Sequence, residues 1–257
     1  MNNKTWAKVA LQHHQQGLTL VEIMVALVIS LLLMAGVMQV FLSNNVSHNL
    51  QNGLGRLQEN ARAAMDVLSL DISMAGYTVT AGLITPSTFK YIDTATTLDN
   101  ATANTGLGFT VANGRASDSI NISYESATDC LGQATVNLTV NRYYLNGTNL
   151  MCLGSGSVTP GIIAEGIENM QILYGQDSDS DGIANRYVNA SNITVNASGI
   201  PSPRIVSVRI ALLVSTVENS GATDTATYGL LNVPPLGPLN DNLLRKVFSR
   251  TIILRNP

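Results

Sequence analysis

Gly17-Leu18-Thr19-Leu20-Val21-Glu22-Ile23-Met24-Val25-Ala26-Leu27 opens the stretch on which the fold of this chain turns. From Leu18 to Leu42 the residues are almost all apolar, and Glu22 is the only charged one among them. Upstream lies a polar leader, residues 1–17, with Lys4 and Lys8 and no acidic residue. A helix rises 1.5 Å per residue, so about 20 residues cross a hydrocarbon core of ~30 Å. The run is therefore long enough to span a membrane. Two lysines before it and none soon after it put the leader on the cytoplasmic side. A secretory signal carries its small-residue cleavage site after the apolar core. Here Gly17 comes before the core, so a cut at Gly17 leaves the apolar helix on the mature chain.

Glu22 argues against a plain anchor. A carboxylate costs roughly 2.5–3.5 kcal/mol at the centre of a membrane helix, less near its end, and usually has a partner. None lies within the run. A cut after Gly17 would create an α-amino cation on Leu18, one helical turn from Glu22. That amine could pair with Glu22 in its own subunit. It could instead neutralise the Glu22 of a neighbour, which would drive docking and set axial register. The plainer alternative is a carboxylate resting at headgroup level, as charges near helix ends do.

Past Ser43 the pattern becomes amphipathic. Val46, Leu50, Leu54, Leu57, Ala61, Ala64, Leu68, Ile72 and Ala75 recur at spacings of three and four, which is one helical stripe. Arg56, Glu59, Arg62, Asp66 and Asp71 fall mostly off it. Gly53 and Gly55 each lower helix propensity by up to about 1 kcal/mol, so a bend is expected there, and Gly76 is a natural C-terminal cap. The reading is one helix over residues 18–77, its part 18–42 apolar all round. A globular domain, residues 78–257, packs on the second half.

That domain reads as strands. Residues 107–111, 119–124 and 135–140 are β-rich, and 142–145 with 150–153 flank Asn146-Gly147, a hairpin signal within a four-residue loop. Ile205 to Val214 alternates, with Val206, Val208, Ile210, Leu212 and Val214 on one face and Arg209 on the other. Phe248, Ile252 and Leu254 alternate against Ser249, Thr251 and Ile253. These describe an antiparallel sheet with one face on the helix. Stretches 78–106, 176–203 and 218–243 read as loops. The fold class is α+β: a long N-terminal helix on a C-terminal antiparallel head.

Charged residues are 12% and the net charge is −3. Without the two leader lysines, 12 basic residues face 17 acidic ones, a net of −5. A basic nucleic-acid footprint is absent, so no nucleic-acid partner is expected. Cys130 and Cys152, the only two cysteines, form an even pair in an exported chain. They read as a disulfide worth about 3 kcal/mol by chain entropy, and no zinc cluster exists. His13 and His14 fall in the leader and His48 on the helix. No nucleophile elbow or phosphate loop appears, and nothing marks a pocket around Glu165 and Glu168. No catalytic residue and no enzymatic activity are expected.

Asp177-Ser178-Asp179-Ser180-Asp181-Gly182 has the D-x-D-x-D-G form that wraps a hard cation. Asp177, Asp179, Asp181 and Asn185 are candidate Ca²⁺ ligands. The twelfth position is Val188, so the closing glutamate of a full EF-hand is missing, and Asp224 or Asp241 would have to complete the shell. The other reading is a solvated Asp-Gly turn.

The segment from Gly17 to Leu27 resembles the type IV prepilin cleavage and methylation motif. Asn60 to Asp66, Asp71 to Tyr77, Met170 to Gly175 and Phe248 to Asn256 resemble the PilW-type minor pilins. The resemblance implies the type IV pilin fold, cleavage after Gly17 by a prepilin peptidase, N-methylation of Leu18, and Glu22 as the assembly residue. Leu18 departs from the phenylalanine most common at that position. The family is implied to help initiate type IV pilus assembly and to enter the fibre as part of a tip complex. Its partners would be other minor pilins, the major pilin and the inner-membrane assembly platform. The subunit would sit in the inner membrane with its head in the periplasm, and afterwards in the extracellular fibre or its tip. A minor pseudopilin of a type II secretion system shares this N-terminal logic. A DNA-binding pilin and a solitary adhesin are further readings.

Overall fold

The structure is a computed structural model that describes residues 19–79, 103–104, 109–110, 117–196, 201–220 and 223–256. It begins with one helix, α1 (Leu20–Met74). The helical assignment runs without a break through Gly53 and Gly55, where a bend was expected. Gly53 has a packing role instead: a Cβ there would meet the Thr216 methyl at 3.2 Å. Gly76 ends the helix with φ +79°, as a C′ glycine does, and its N–H donates to the Ser123 carbonyl at 3.0 Å.

The chain divides into two units, residues 1–48 and 49–257. In the first, every described residue is exposed. It holds the only stretch among the described residues that is apolar and long enough to cross a membrane. The second unit contains the rest of α1 and the head.

The head has β1 (Ala103–Asn104) paired with β2 (Phe109–Thr110), then β3 (Ile120–Glu125), β4 (Leu138–Asn146), β5 (Asn149–Gly154) and β6 (Gly161–Glu165). These last four form one antiparallel sheet in the order β3-β4-β5-β6. Then follow β7 (Ile167–Asp177), β8 (Arg186–Val188), β9 (Arg204–Ser215), β10 (Tyr228–Leu230), β11 (Val233–Leu236) and β12 (Arg245–Ile253). The second large sheet is antiparallel too, in the order β12-β9-β7-β8. Both sheets meet α1 in one core. Leu57, Ala61, Ala64, Leu68 and Ile72 from the helix stripe pack with Ile120, Ile122 and Tyr143 from the first sheet and with Met170, Ile210 and Leu212 from the second. Leu50 and Leu54 are half-buried and Val46 is exposed, so the stripe becomes a buried face only from Leu57 onward.

Several expectations change in detail. The strand expected at 135–140 begins at Leu138, because Asn137 takes φ +64° and breaks the extended run. Thr135 instead donates its hydroxyl to the Ser126 carbonyl. Of the strand expected at 107–111, Phe109–Thr110 is seen and the rest lies outside the described residues. The β4–β5 hairpin is tighter than a four-residue loop: Asn146 pairs with Asn149, leaving Gly147 and Thr148 to turn. Gly147, at φ +62°, supplies the left-handed residue that such a turn needs.

Strand β9 carries a bulge. Ser207 pairs with Gly175 and Ile205 with Gln176, so Val206 is the extra residue. An added residue inverts the alternation beyond it. Ile205 therefore joins the main core, while Val206, expected on that face, is buried outside it. The expected loop 218–243 is in fact an arm. Its β10–β11 ribbon lays Leu230 and Leu236 on Ala211, Leu213 and Val247, on the far side of the sheet from α1.

Candidate functional site

The N-terminal constellation is seen from Thr19 onward; Gly17 and Leu18 lie outside the described residues. Thr19 is the N-cap of α1. The Glu22 backbone N–H donates to its carbonyl at 3.1 Å and to its hydroxyl at 3.3 Å. Thr19 and Glu22 thus have the spacing of a capping box, a signal that the sequence carries in its three-residue interval. A carboxylate in the first turn also faces the positive end of the helix dipole, worth about 0.3–1 kcal/mol at an exposed site. Among the described residues Glu22 has no ion-pair partner. The surface beyond it is a wall of exposed Ile23, Leu27, Leu31, Met34 and Met38.

Asp71 is the helix's other unusual carboxylate, and the sequence reading misplaced it. It is buried, on the core side rather than off the stripe. The Tyr124 hydroxyl donates to its Oδ1 at 2.9 Å, and the Asn141 amide and Tyr143 hydroxyl donate to its Oδ2 at 2.7 and 2.5 Å. Burial and the Asp71 charge push both tyrosine hydroxyls well above their usual range. The Asn141 side-chain oxygen accepts from the Cys130 backbone N–H at 3.0 Å. Cys130 and Cys152 form the expected disulfide. The adjoining turn is held by Asp129, which accepts from the backbone N–H groups of Leu131, Gln133 and Gly156 and from the Ser157 hydroxyl. Desolvation opposes these bonds, yet together they hold the Asp129 carboxyl below its usual range.

A second buried charge cluster sits at the base of the arm. The Arg245 guanidinium is 1% exposed. It forks onto Glu168 through Nε (2.7 Å) and Nη2 (2.8 Å), and onto Asp241 through Nη1 and Nη2 (2.6 Å each). Its Nη1 also donates to Asp224 at 2.8 Å. Five N–H groups thus meet three carboxylates, the full donor set of the side chain. Those bonds outweigh desolvation and raise the Arg245 pKa, while the bonds from Arg245 hold Asp241 below the usual carboxylate range. The Tyr228 hydroxyl donates to Asp224, and burial and that carboxylate push its pKa up to about 12. Glu168, Asp224 and Asp241 are therefore structural, and neither Asp224 nor Asp241 closes the acidic loop. In sequence, Glu168 and Arg245 are the charges nearest the starts of β7 and β12, and nothing in their spacing marks them as partners.

The acidic loop follows β7. One ligand oxygen each of Asp177, Asp179 and Asp181 falls within 4.8 Å of the others. Asp177 is buried; its oxygens accept from the Ser180 and Gly182 backbone N–H groups at 2.7 and 2.9 Å. Desolvation pulls the other way, and these bonds still hold its carboxyl low. Asn185 donates to Asp179 at 3.2 Å and its oxygen accepts from Ser178, so it braces the turn. Arg204 pairs with Asp177 across β7–β9 and brings a cation to the same end.

Residues 134–256 match the family described as type IV pilus-assembly protein W. Residues 12–38 match the prokaryotic N-terminal methylation motif. No curated protein matches. Among solved structures, a type IV-like pilin from Thermus thermophilus is 15% identical, with a TM-score of 0.49 over 78% of this chain and 97% of that one. The GspK-GspI-GspJ complex of the type 2 secretion system of enterotoxigenic Escherichia coli gives 13% identity and a TM-score of 0.37, over 78% of this chain and 99% of the matched one.

Proposed function

We infer that this chain is a type IV pilus minor pilin of the PilW family, which its two family matches support, and that it helps to initiate the pilus and becomes a subunit of the complex at its tip. Its prepilin motif and apolar helix are those of a subunit anchored in the inner membrane that later joins the pilus. Prepilin peptidase cuts after Gly17, and the amine of Leu18 is then methylated. The observation that carries the reading is a carboxylate in the first turn of an exposed apolar helix, Glu22, with no cation of its own chain beside it among the described residues. The amine of an adjoining subunit supplies that cation. At the inner-membrane assembly platform the helix wall then moves from lipid to the fibre core, among other minor pilins and the major pilin.

On this reading the role is structural and no reaction is catalysed. Turnover of any substrate by the purified protein would count against it. Glu22→Ala tests the mechanism: cleavage at Gly17 continues and the amount found in sheared fibres falls at least about tenfold, roughly 1.4 kcal/mol. Normal incorporation of that variant would sink the pairing. Deletion of the gene removes pili and spares type II secretion. The opposite pattern would make the chain a pseudopilin.

The acidic loop, on the same reading, takes Ca²⁺ weakly on Asp177, Asp179 and Asp181, whose oxygens already converge. Calorimetry with millimolar CaCl₂ should give binding heat that is lost in Asp179→Asn. A flat titration would leave the loop as a self-braced turn.

A further inference from the structure

Strand β12 is an edge: it pairs with β9 on one side and with no strand on the other among the described residues. Its pairing pattern fixes which backbone groups are spare. The Leu254 N–H donates to the Val206 carbonyl, and Ile252 lies opposite Val208, Arg250 opposite Ile210 and Phe248 opposite Leu212. Even-numbered residues therefore spend their N–H and C=O on β9. Ser249, Thr251 and Ile253 turn theirs outward, where no described backbone group meets them. The next outward residue, Arg255, bonds the Ser73 carbonyl of α1 at 3.2 Å, so the spare row ends against the helix.

Natural edges are guarded by shortness, bulges, proline or charge. β12 has nine residues, no proline and an unbroken register with β9. Arg250 does not guard the edge, because it turns to α1 and bonds Asp66 and Ser69 at 3.0 and 2.9 Å. Apolar surface flanks the row. Ile253 is 72% exposed, and Leu70, next to Ser69 on the helix, is 64% exposed. Lys246 and Arg255 stand at the two ends, exposed and with no carboxylate in ion-pair reach among the described residues. The chain as a whole is acidic.

We propose that the open edge of β12 receives an extended strand of another subunit of the same fibre, one carrying carboxylates opposite Lys246 and Arg255. This adds a fifth strand to the β12-β9-β7-β8 sheet, with backbone pairing for affinity and side chains for choice of partner. It rests on the reading of the chain as a fibre subunit. Ser249→Pro removes one outward N–H and leaves the bonds to β9 intact; Ser249→Val keeps that N–H.

In cells making full-length protein, Ser249→Pro should fall about tenfold in sheared fibres, while Ser249→Val matches wild type; the difference is roughly 1.4 kcal/mol. Ser249→Pro entering fibres at the wild-type level, with Glu22→Ala excluded, overturns the edge proposal alone. Glu22→Ala also entering normally overturns the fibre reading and this proposal with it. If Ser249→Pro is degraded, a photo-crosslinking residue at Ile253, with one at Val158 as the control site, decides. A crosslink specific to 253 that maps to an acidic strand of a different pilus subunit supports the proposal. A crosslink only to a second copy of this chain, or to no subunit, refutes it.

Discussion

The two ends of α1 each carry a carboxylate in an unusual place, and the chain treats them in opposite ways. Asp71 receives three side-chain donors from β3 and β4, from residues 53 to 72 positions away in sequence. Glu22 engages Thr19 only through its backbone N–H, and its carboxylate meets no donor of the head among the described residues. A charge satisfied within its own fold holds that fold together. A charge left to the solvent or lipid of a lone subunit is available to something outside it. The helix is thus structural at its Asp71 end and, on the proposed reading, associative at its Glu22 end, and substitutions should separate the two.

The largest loss is expected where a buried cation is withdrawn from buried anions. Arg245→Met leaves Glu168 and Asp224 facing each other without a counter-ion, and should destabilise the head by about 3–5 kcal/mol in denaturant unfolding. An unchanged midpoint would mean that the arm is held by its apolar contacts alone. Asp71→Ala takes the acceptor from two buried tyrosine hydroxyls and leaves the Asn141 amide only its bond to Tyr124, and should cost about 3 kcal/mol. The same measurement on Glu22→Ala should show no change in the head. Equal losses for the two would erase the contrast drawn here.

A pH series sharpens it further. Asp129, Asp177 and Asp241 titrate below their unfolded value in the folded head. Their contribution is present above about pH 4 and is lost as pH falls through the folded values. Tyr124, Tyr143 and Tyr228 titrate above theirs. What they contribute is intact below about pH 10 and declines above it. Thermal melts should therefore show a plateau between those limits. The smallest effect is Thr19→Ala, which removes an N-cap worth about 1 kcal/mol. It should fray the first turn in helix-sensitive spectra and leave the head's melting midpoint where it was.

Much of this was legible in the sequence because it is local. The apolar run, the helix stripe from Leu57 to Ala75, Gly76 as a cap and the alternation of β12 each follow from spacing along a single element. The pairing of Cys130 with Cys152 needed only parity and compartment. What was hidden depends on who faces whom across the fold. Asp71 looks like one more polar residue off the stripe until β3 and β4 bring two tyrosines and an asparagine to it. Asp224 and Asp241 look like spare ligands for the acidic loop until Arg245 claims both. The bulge at Val206 cannot be seen in β9 itself, because it arises from pairing with β7. The arm's proline-rich sequence resembles a loose loop, yet Leu230 and Leu236 pack on the sheet and Arg245 grips Asp224 and Asp241 at its base. The Thr19–Glu22 cap is local too, and its three-residue spacing alone makes it readable.

On the reading of this chain as a fibre subunit, the Asp71 network bears on how it would carry tension. Over its last turns the helix is tied to the head by the Asp71 bonds, by Gly76 to Ser123, by Tyr77 to Glu125 and by Ser73 to Arg255. Force entering along α1 reaches these ties together rather than one after another. Such a joint yields only when many bonds fail at once, so stretching a single molecule should give one abrupt rupture, not a gradual peel.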